Sequence, residues 1–340
     1  MKDKERVRVS VRIGSKKSLF ILGLIIIWVL TLFLTWLYAG EIGGGAAMLA
    51  ARRYPLLNPR LRNLSQEERS SKAFTTLVPL RDKLFSFLGD DERNSAFYVE
   101  DLNTGAWTGS KEKEEFIPAS LLKVPVAIGV MKKIDNGDWS LDKKFPIEEK
   151  YKDNNFGELW KRENGMELTI DELLKQMLQM SDNTASNILF FNLTPEERDE
   201  VYYHIGVSNP EATDGNSAGQ VSFKNLTPRN LATFFRALYN ATYLTRDSSS
   251  YLLELLTKTE FDQDVSGGIP PNIKVAHKMA AFYDESLLKT QNYHDCGITF
   301  YPDHPYLYCL LTRDLKPDLA QKIISGMSGI IYKYFEENGR

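Results

Sequence analysis

Residues 117–131 read IPASLLKVPVAIGVM. A serine and a lysine, Ser120 and Lys123, stand three positions apart in a stretch with no other charge. On a helix that spacing puts both side chains on one face, so the amine reaches the hydroxyl. Ser120 falls at the start of a helix expected over 119–134, where unpaired backbone N–H groups favour developing negative charge. Burial among apolar neighbours would lower the pKa of Lys123 and let it act as base for a serine nucleophile. The same two residues also fit a helix-capping serine with a snorkelling lysine. Ser-x-x-Lys also occurs at Ser110/Lys113, Ser140/Lys143 and Ser286/Lys289, so the pattern needs company.

Two further segments supply it. Ser181-Asp182-Asn183 lies at the junction of helices expected over 169–180 and 183–192, where it reads either as an N-cap cluster or as a proton-passing hydroxyl beside a carbonyl-holding amide. Val275-Ala276-His277-Lys278 lies on an expected strand. There Lys278 is either a solvated edge charge or a functional cation, and His277, by alternation, faces the other side.

The rest of the chain supplies a scaffold. Residues 76–88 read as a helix, and two β-rich runs flank Asn103-Thr104-Gly105 as a hairpin. Thr194-Pro195-Glu196-Glu197 is a capping box, Thr227-Pro228 opens another helix, and 249–258 is helical. Residues 272–282, 295–301 and 306–312 read as strands, and 317–337 as a closing helix. This order predicts an α+β fold. An antiparallel sheet is built from both chain ends and flanked by helices, with an all-helical block inserted between.

The first residues set a location. Residues 1–17 carry seven basic and two acidic side chains, and 18–38 carry no charge over 21 residues. Such a run spans roughly 31 Å as a helix, enough to cross a hydrocarbon core. The charge bias puts the N-terminus inside. The expected organisation is a cytoplasmic basic tail (1–17), a transmembrane signal anchor (18–38), an extracytoplasmic linker (39–75) and a folded domain (76–340). A late cleavage near Ala46-Ala47 is the rival reading of the span. The whole chain has 42 Lys and Arg against 45 Asp and Glu, a formal net charge of −3, which gives nucleic-acid binding no electrostatic support.

Only Cys296 and Cys309 are available for cross-linking. They lie symmetrically about Pro302-Asp303, and a symmetric hairpin would set them opposite each other. A disulfide and a reduced, packed pair both fit, because a one-residue slip would separate them.

Three segments together, IPASLLKVPVAIGVM, LTIDELLKQMLQMSDNTASNILF, and VAHKMAAF followed by HDCGITFYPDHPYLYCLLT, resemble the class A β-lactamase and related penicillin-recognising serine hydrolase (DD-peptidase) family. The resemblance covers about residues 76–337 and implies a two-lobed fold with its site in the cleft between the lobes. It implies that Ser120 is acylated, that Lys123 is its base or part of its relay, and that Ser181 passes a proton to the leaving nitrogen. Asn183 would hold a substrate carbonyl, Lys278 would attract a carboxylate, and the backbone N–H groups of Ser120 and Ala281 would form the oxyanion hole. Glu211, in the loop before Pro228, is the candidate base for deacylation.

Two features depart from the family. Lys-Thr/Ser-Gly is here Lys278-Met279-Ala280, and Glu211 lacks the family's accompanying arginine and asparagine at their spacing. The expected activity is therefore that of a membrane-anchored serine hydrolase acting through an acyl-enzyme on a β-lactam or related amide. A D-Ala-D-Ala carboxypeptidase acting on peptidoglycan stem peptides, and an inactive cell-wall binding or sensor domain, are the alternatives. The expected partners are that small molecule or stem peptide and the lipid bilayer, with no nucleic acid. No metal or organic cofactor is implied.

Overall fold

The computed structural model describes residues 24–31, 54–57, 77–209, 211–212, 222–223, 225–261, 265, 268–284 and 290–338. It divides into two units, Met1–Arg53 and Tyr54–Arg340. In the first, residues 24–31 are helical and exposed. Among the described residues no helix is long and apolar enough to cross a membrane; most of the expected 18–38 span lies outside them.

The second unit begins earlier than the expected domain. Leu56 and Leu57 are buried in its core, and Tyr54 donates its hydroxyl to Asp247 at 2.7 Å. Four residues of the stretch read as a linker are thus seated on the folded body.

Helix α1 (Val78–Leu88) has a proline in its first turn and buries Leu80, Leu84 and Leu88, one side of the helix. Strands β1 (Ser95–Asp101) and β2 (Trp107–Ser110) form the expected hairpin. Its turn is closed by Asp101 Oδ1, which accepts from Asn103 N at 2.8 Å, and by Gly105 at φ +75°.

After a 3-10 turn, Ala119–Leu122, comes α2 (Lys123–Asp135). A short hairpin of β3 (Lys144–Pro146) and β4 (Glu167–Thr169) follows, too brief for periodicity to reveal. Helices α3 (Ile170–Gln179), α4 (Asn183–Asn192) and α5 (Pro195–Ile205) come next. Thr169 and Thr194 open α3 and α5 with capping boxes.

Beyond the two-residue strands β5 (Glu211–Ala212) and β6 (Ser222–Phe223) lie α6 (Pro228–Asn240) and α7 (Arg246–Leu256). Helix α7 starts three residues before its expected position because Thr245 caps it, accepting from Ser248 N at 3.3 Å. The chain ends with β7 (Val275–Asp284), β8 (Thr290–Thr299), β9 (Tyr306–Leu315) and α8 (Pro317–Asn338).

The main sheet is antiparallel, in the order β2-β1-β9-β8-β7, so the last strands close onto the first hairpin. One face packs on α1 and α8 through Phe97, Val99, Met279, Tyr308 and Leu310. The other, bearing Ala276, Cys296, Ile298 and Leu311, meets α6 and the helical block around α2.

Strand β8 begins five residues before the expected start. Its extension carries His294, fully buried yet hydrogen-bonded to Ile117 O, which a hydropathy pattern reads as a loop. Cys296 stands opposite Cys309, and the structure joins them in a disulfide.

Candidate active site

Three elements converge where the 3-10 turn packs against the edge strand β7. Ala119, at φ +47°, delivers the chain into that turn, which presents half-buried Ser120. Lys123 begins α2 one turn later and is buried. Its Nζ donates to Ser181 O, to Ser181 Oγ at 3.2 Å and to Asn183 Oδ1 at 2.7 Å. Lys278 Nζ donates to the same Ser181 Oγ at 2.9 Å and to Met279 O at 3.1 Å. Ser181 Oγ in turn donates to Ser120 Oγ at 3.4 Å.

Ser120, Lys123 and Lys278, spread over 159 positions of sequence, therefore meet at the Ser181 hydroxyl, and Asn183 joins them through Lys123 Nζ. The bonds of Lys123 run to the Ser181–Asn183 corner, and Ser181 forms the link to Ser120.

The corner is rigid for a stated reason. Ser181 has φ +56°, a left-handed backbone that costs a non-glycine residue about 1 kcal/mol. Asp182, fully buried behind it, holds that shape. One carboxylate oxygen caps α4 through Ala185 N at 2.8 Å; the other accepts from Glu158 N at 2.7 Å and Leu159 N at 2.9 Å. Gly157, at φ +91°, makes that approach feasible, since a Cβ there would lie 2.1 Å from Asp182 Oδ2. Asn183 is fixed at both ends: its oxygen accepts from Lys123, and Nδ2 donates to Asp153 Oδ1 at 3.1 Å. The amide nitrogen carries a second N–H beyond the one given to Asp153.

Two lysines this close cannot both carry charge cheaply. Burial, reinforced by the Lys278 cation, holds the Lys123 amine well below the usual lysine range, against the pull of Asp182 and Asp153. Burial also lowers Lys278, to about 8, with Asp295 opposing the shift.

The edge amides follow from register. Cys296 and Cys309 have Cα atoms 4.1 Å apart, the narrow spacing of a non-hydrogen-bonded pair. Cys296 therefore turns its N–H and C=O toward Lys278 on β7, and the next residues of β7, Met279 and Ala281, turn theirs away from the sheet. The bond from Lys278 Nζ to Met279 O agrees with that alternation. The Ala281 N–H thus leaves the sheet at the edge where the 3-10 turn packs. The Met279 side chain lies in the core beneath the sheet, and Ala280, fully buried, lies on the face shared with Lys278.

Glu211 pairs through its backbone with Phe223; its side chain lies outside the described residues. Among the described residues no group of three or more His, Cys, Asp or Glu side chains could hold a metal ion. Sequence reading missed Asp153, whose role needs the folded loop. It also took Asp182 only as part of a capping cluster.

A family model described as the beta-lactamase enzyme family matches residues 79–335. The chain belongs to that family. Its members' fold recurs in solved structures at low identity. A mutant of PBP-A, seen as an acyl-enzyme complex with penicillin G, is 20% identical with a TM-score of 0.67, over 77% of this chain and 98% of that one. A β-lactamase from Sphaerobacter thermophilus is 18% identical with a TM-score of 0.66, over 78% and 98%. A class A β-lactamase from Bacteroides cellulosilyticus is 19% identical with a TM-score of 0.67, over 78% and 100%. No curated protein matches the chain. Membership makes this a serine hydrolase of the β-lactamase type, and the fold around Ser120 is that of its relatives.

Proposed function

We propose that the protein is a membrane-anchored β-lactamase-like hydrolase that works through a covalent acyl-enzyme on Ser120. The observation that carries this reading is the meeting of Lys123, Lys278 and Ser120 at the Ser181 hydroxyl. Lys123, neutral beside the Lys278 cation, takes the Ser120 proton through Ser181. Ser120 Oγ bonds to the substrate carbonyl carbon, and the developing oxyanion lies between the N–H groups of Ser120 and Ala281. Each such donor is worth on the order of 3 kcal/mol in comparable acyl transfer. The C–N bond then breaks as Ser181 gives a proton to the leaving nitrogen, and water later frees the acid from Ser120. Lys278 attracts the substrate carboxylate, and Asn183 Nδ2 holds a side-chain carbonyl.

A β-lactam fits as substrate because its strained amide, carboxylate and side-chain carbonyl match these three groups. Glu211 is the candidate water activator. The uncharged run 18–38, with basic residues before it, anchors the chain and puts the hydrolase outside the cytoplasm. A Cys296–Cys309 cross-link suits that oxidising side.

The test is intact mass of the detergent-solubilised full chain after a penicillin is added. A wild-type adduct equal to the penicillin mass, absent in Ser120→Ala, is expected; folded protein without adduct rejects the reading. The time course of adduct loss bears on a second reading, favoured by Lys278-Met279-Ala280 and the altered setting of Glu211. A long-lived adduct, with release of D-alanine from a stem peptide, would make the enzyme a cell-wall carboxypeptidase. Absence of both would leave a binding or sensor domain.

A further inference from the structure

Behind Lys278, on the face of the sheet turned from the cleft, lies a polar cluster that the proposed reaction does not use. His277 Nδ1 lies 2.8 Å from Asp295 Oδ2, and the Tyr308 hydroxyl donates to Asp295 Oδ1 at 3.0 Å. The three residues come from adjacent strands β7, β8 and β9, and all are buried. Around them α1 and α8 pack apolar side chains. A carboxylate in such a place is costly even with two donors, and apolar replacements are often neutral or stabilising.

Its position offers a reason. Asp295 pairs in register with Met279, next to Lys278, itself fully buried. The other charged or titratable groups around Lys278 do not offset its charge. Lys123 lies across Ser181 and is a potential like charge. Asp182 spends both oxygens on backbone N–H groups, and Asp153 is turned to Asn183. His294, on the same face as Lys278, is held neutral by burial, with its pKa lowered to about 4.

We infer that Asp295, fixed by His277 and Tyr308, is a positioning residue that keeps Lys278 in its ammonium form through the thickness of the sheet, and so sets the upper pH limit for carboxylate-bearing substrates. The inference rests on the acyl-enzyme reading of Ser120. It agrees with the direction in which Asp295 pulls the proton affinity of Lys278.

The experiment compares acylation of the full chain by a penicillin and by its methyl ester across pH, in wild type, Asp295→Asn and Asp295→Glu. For the penicillin, the alkaline fall of wild type is expected near pH 8, where Lys278 loses its proton. In Asp295→Asn that fall moves at least one pH unit lower. This is about a fivefold loss at pH 8 with near-normal rates at pH 6, while the ester shows no such displacement. Asp295→Glu, if it folds, restores the wild-type limb. Should Asp295→Asn fail to fold, Asp295→Ser, which leaves room for a water at the two donors, replaces it.

An unmoved limb in a folded neutral variant overturns the inference. So does an equal loss for acid and ester at every pH, which is the signature of a purely structural role. If wild type forms no adduct, the reading of Ser120 falls separately. The inference is then judged by the Lys278 Nζ titration, followed by nitrogen NMR with Lys278→Arg for assignment. The same downward displacement in Asp295→Asn is expected there, and its absence overturns the inference.

Discussion

Lys123 and Lys278 both reach one oxygen, their side-chain nitrogens 3.2 and 2.9 Å from Ser181 Oγ. In the proposed reaction one hydroxyl so shared passes the proton and the two amines divide the work, Lys123 accepting and Lys278 holding charge; burial lowers both amines, and the Lys278 cation lowers Lys123 further.

Lys123→Met removes the acceptor. Acylation of Ser120 is expected to fall by about 10²–10⁴-fold, the usual worth of a positioned general base. Stopped-flow acylation at several pH values checks this; a fall under threefold would remove Lys123 from the proton path.

Asp182 supports the whole corner through Ala185, Glu158 and Leu159. Asp182→Ala leaves three backbone donors without their acceptor and is expected to cost about 3 kcal/mol or more. Gly157→Ala, which would push a methyl onto the same carboxylate, should lower stability in the same sense. Urea midpoints at unchanged m-value measure both.

His294 links the site to pH. Its Nε2 lies 2.9 Å from Ile117 O, in the segment that leads to Ser120, and burial lowers its pKa to about 4. An unfolded histidine takes a proton near pH 6.5, so between about 4 and 6.5 the unfolded chain binds the extra proton. Stability must then rise with pH across that window, by about 1.4 kcal/mol per unit for this group. His294→Gln keeps an N–H for Ile117 and should flatten the slope by one proton, measured by urea unfolding from pH 4 to 7.

The Cys296–Cys309 bridge closes a sequence separation of 13 residues. On chain-entropy grounds a loop of that size contributes about 3 kcal/mol. Reductant is expected to lower the urea midpoint of wild type accordingly and to leave the Cys296→Ser/Cys309→Ser variant unmoved.

Much of this was legible beforehand. Helix periodicity, the Asn103-Thr104-Gly105 turn, the capping box at Thr194 and the helix start at Thr227-Pro228 correspond to observed elements, because each is a local rule satisfied locally. The symmetry of the cysteines about Pro302-Asp303 matched the register, yet only the fold could choose the bridge over the slip. What stayed hidden depends on burial. His294 looks like a loop residue until Ile117 arrives from another segment, and the strand expected over 295–301 gives no sign that Asp295 meets His277 and Tyr308. Asp153 gives no signal until its loop sets it beside Asn183. Leu56 and Leu57 sit in a composition that reads as spacer, and only the groove that receives them reveals their place.

The left-handed backbone at Ser181 carries an implication for substitution. A single glycine at this position would relieve that strain and, in the same step, remove the hydroxyl shared by Lys123, Lys278 and Ser120. The position where the backbone would most readily accept glycine is thus the one whose hydroxyl ties both lysines to Ser120.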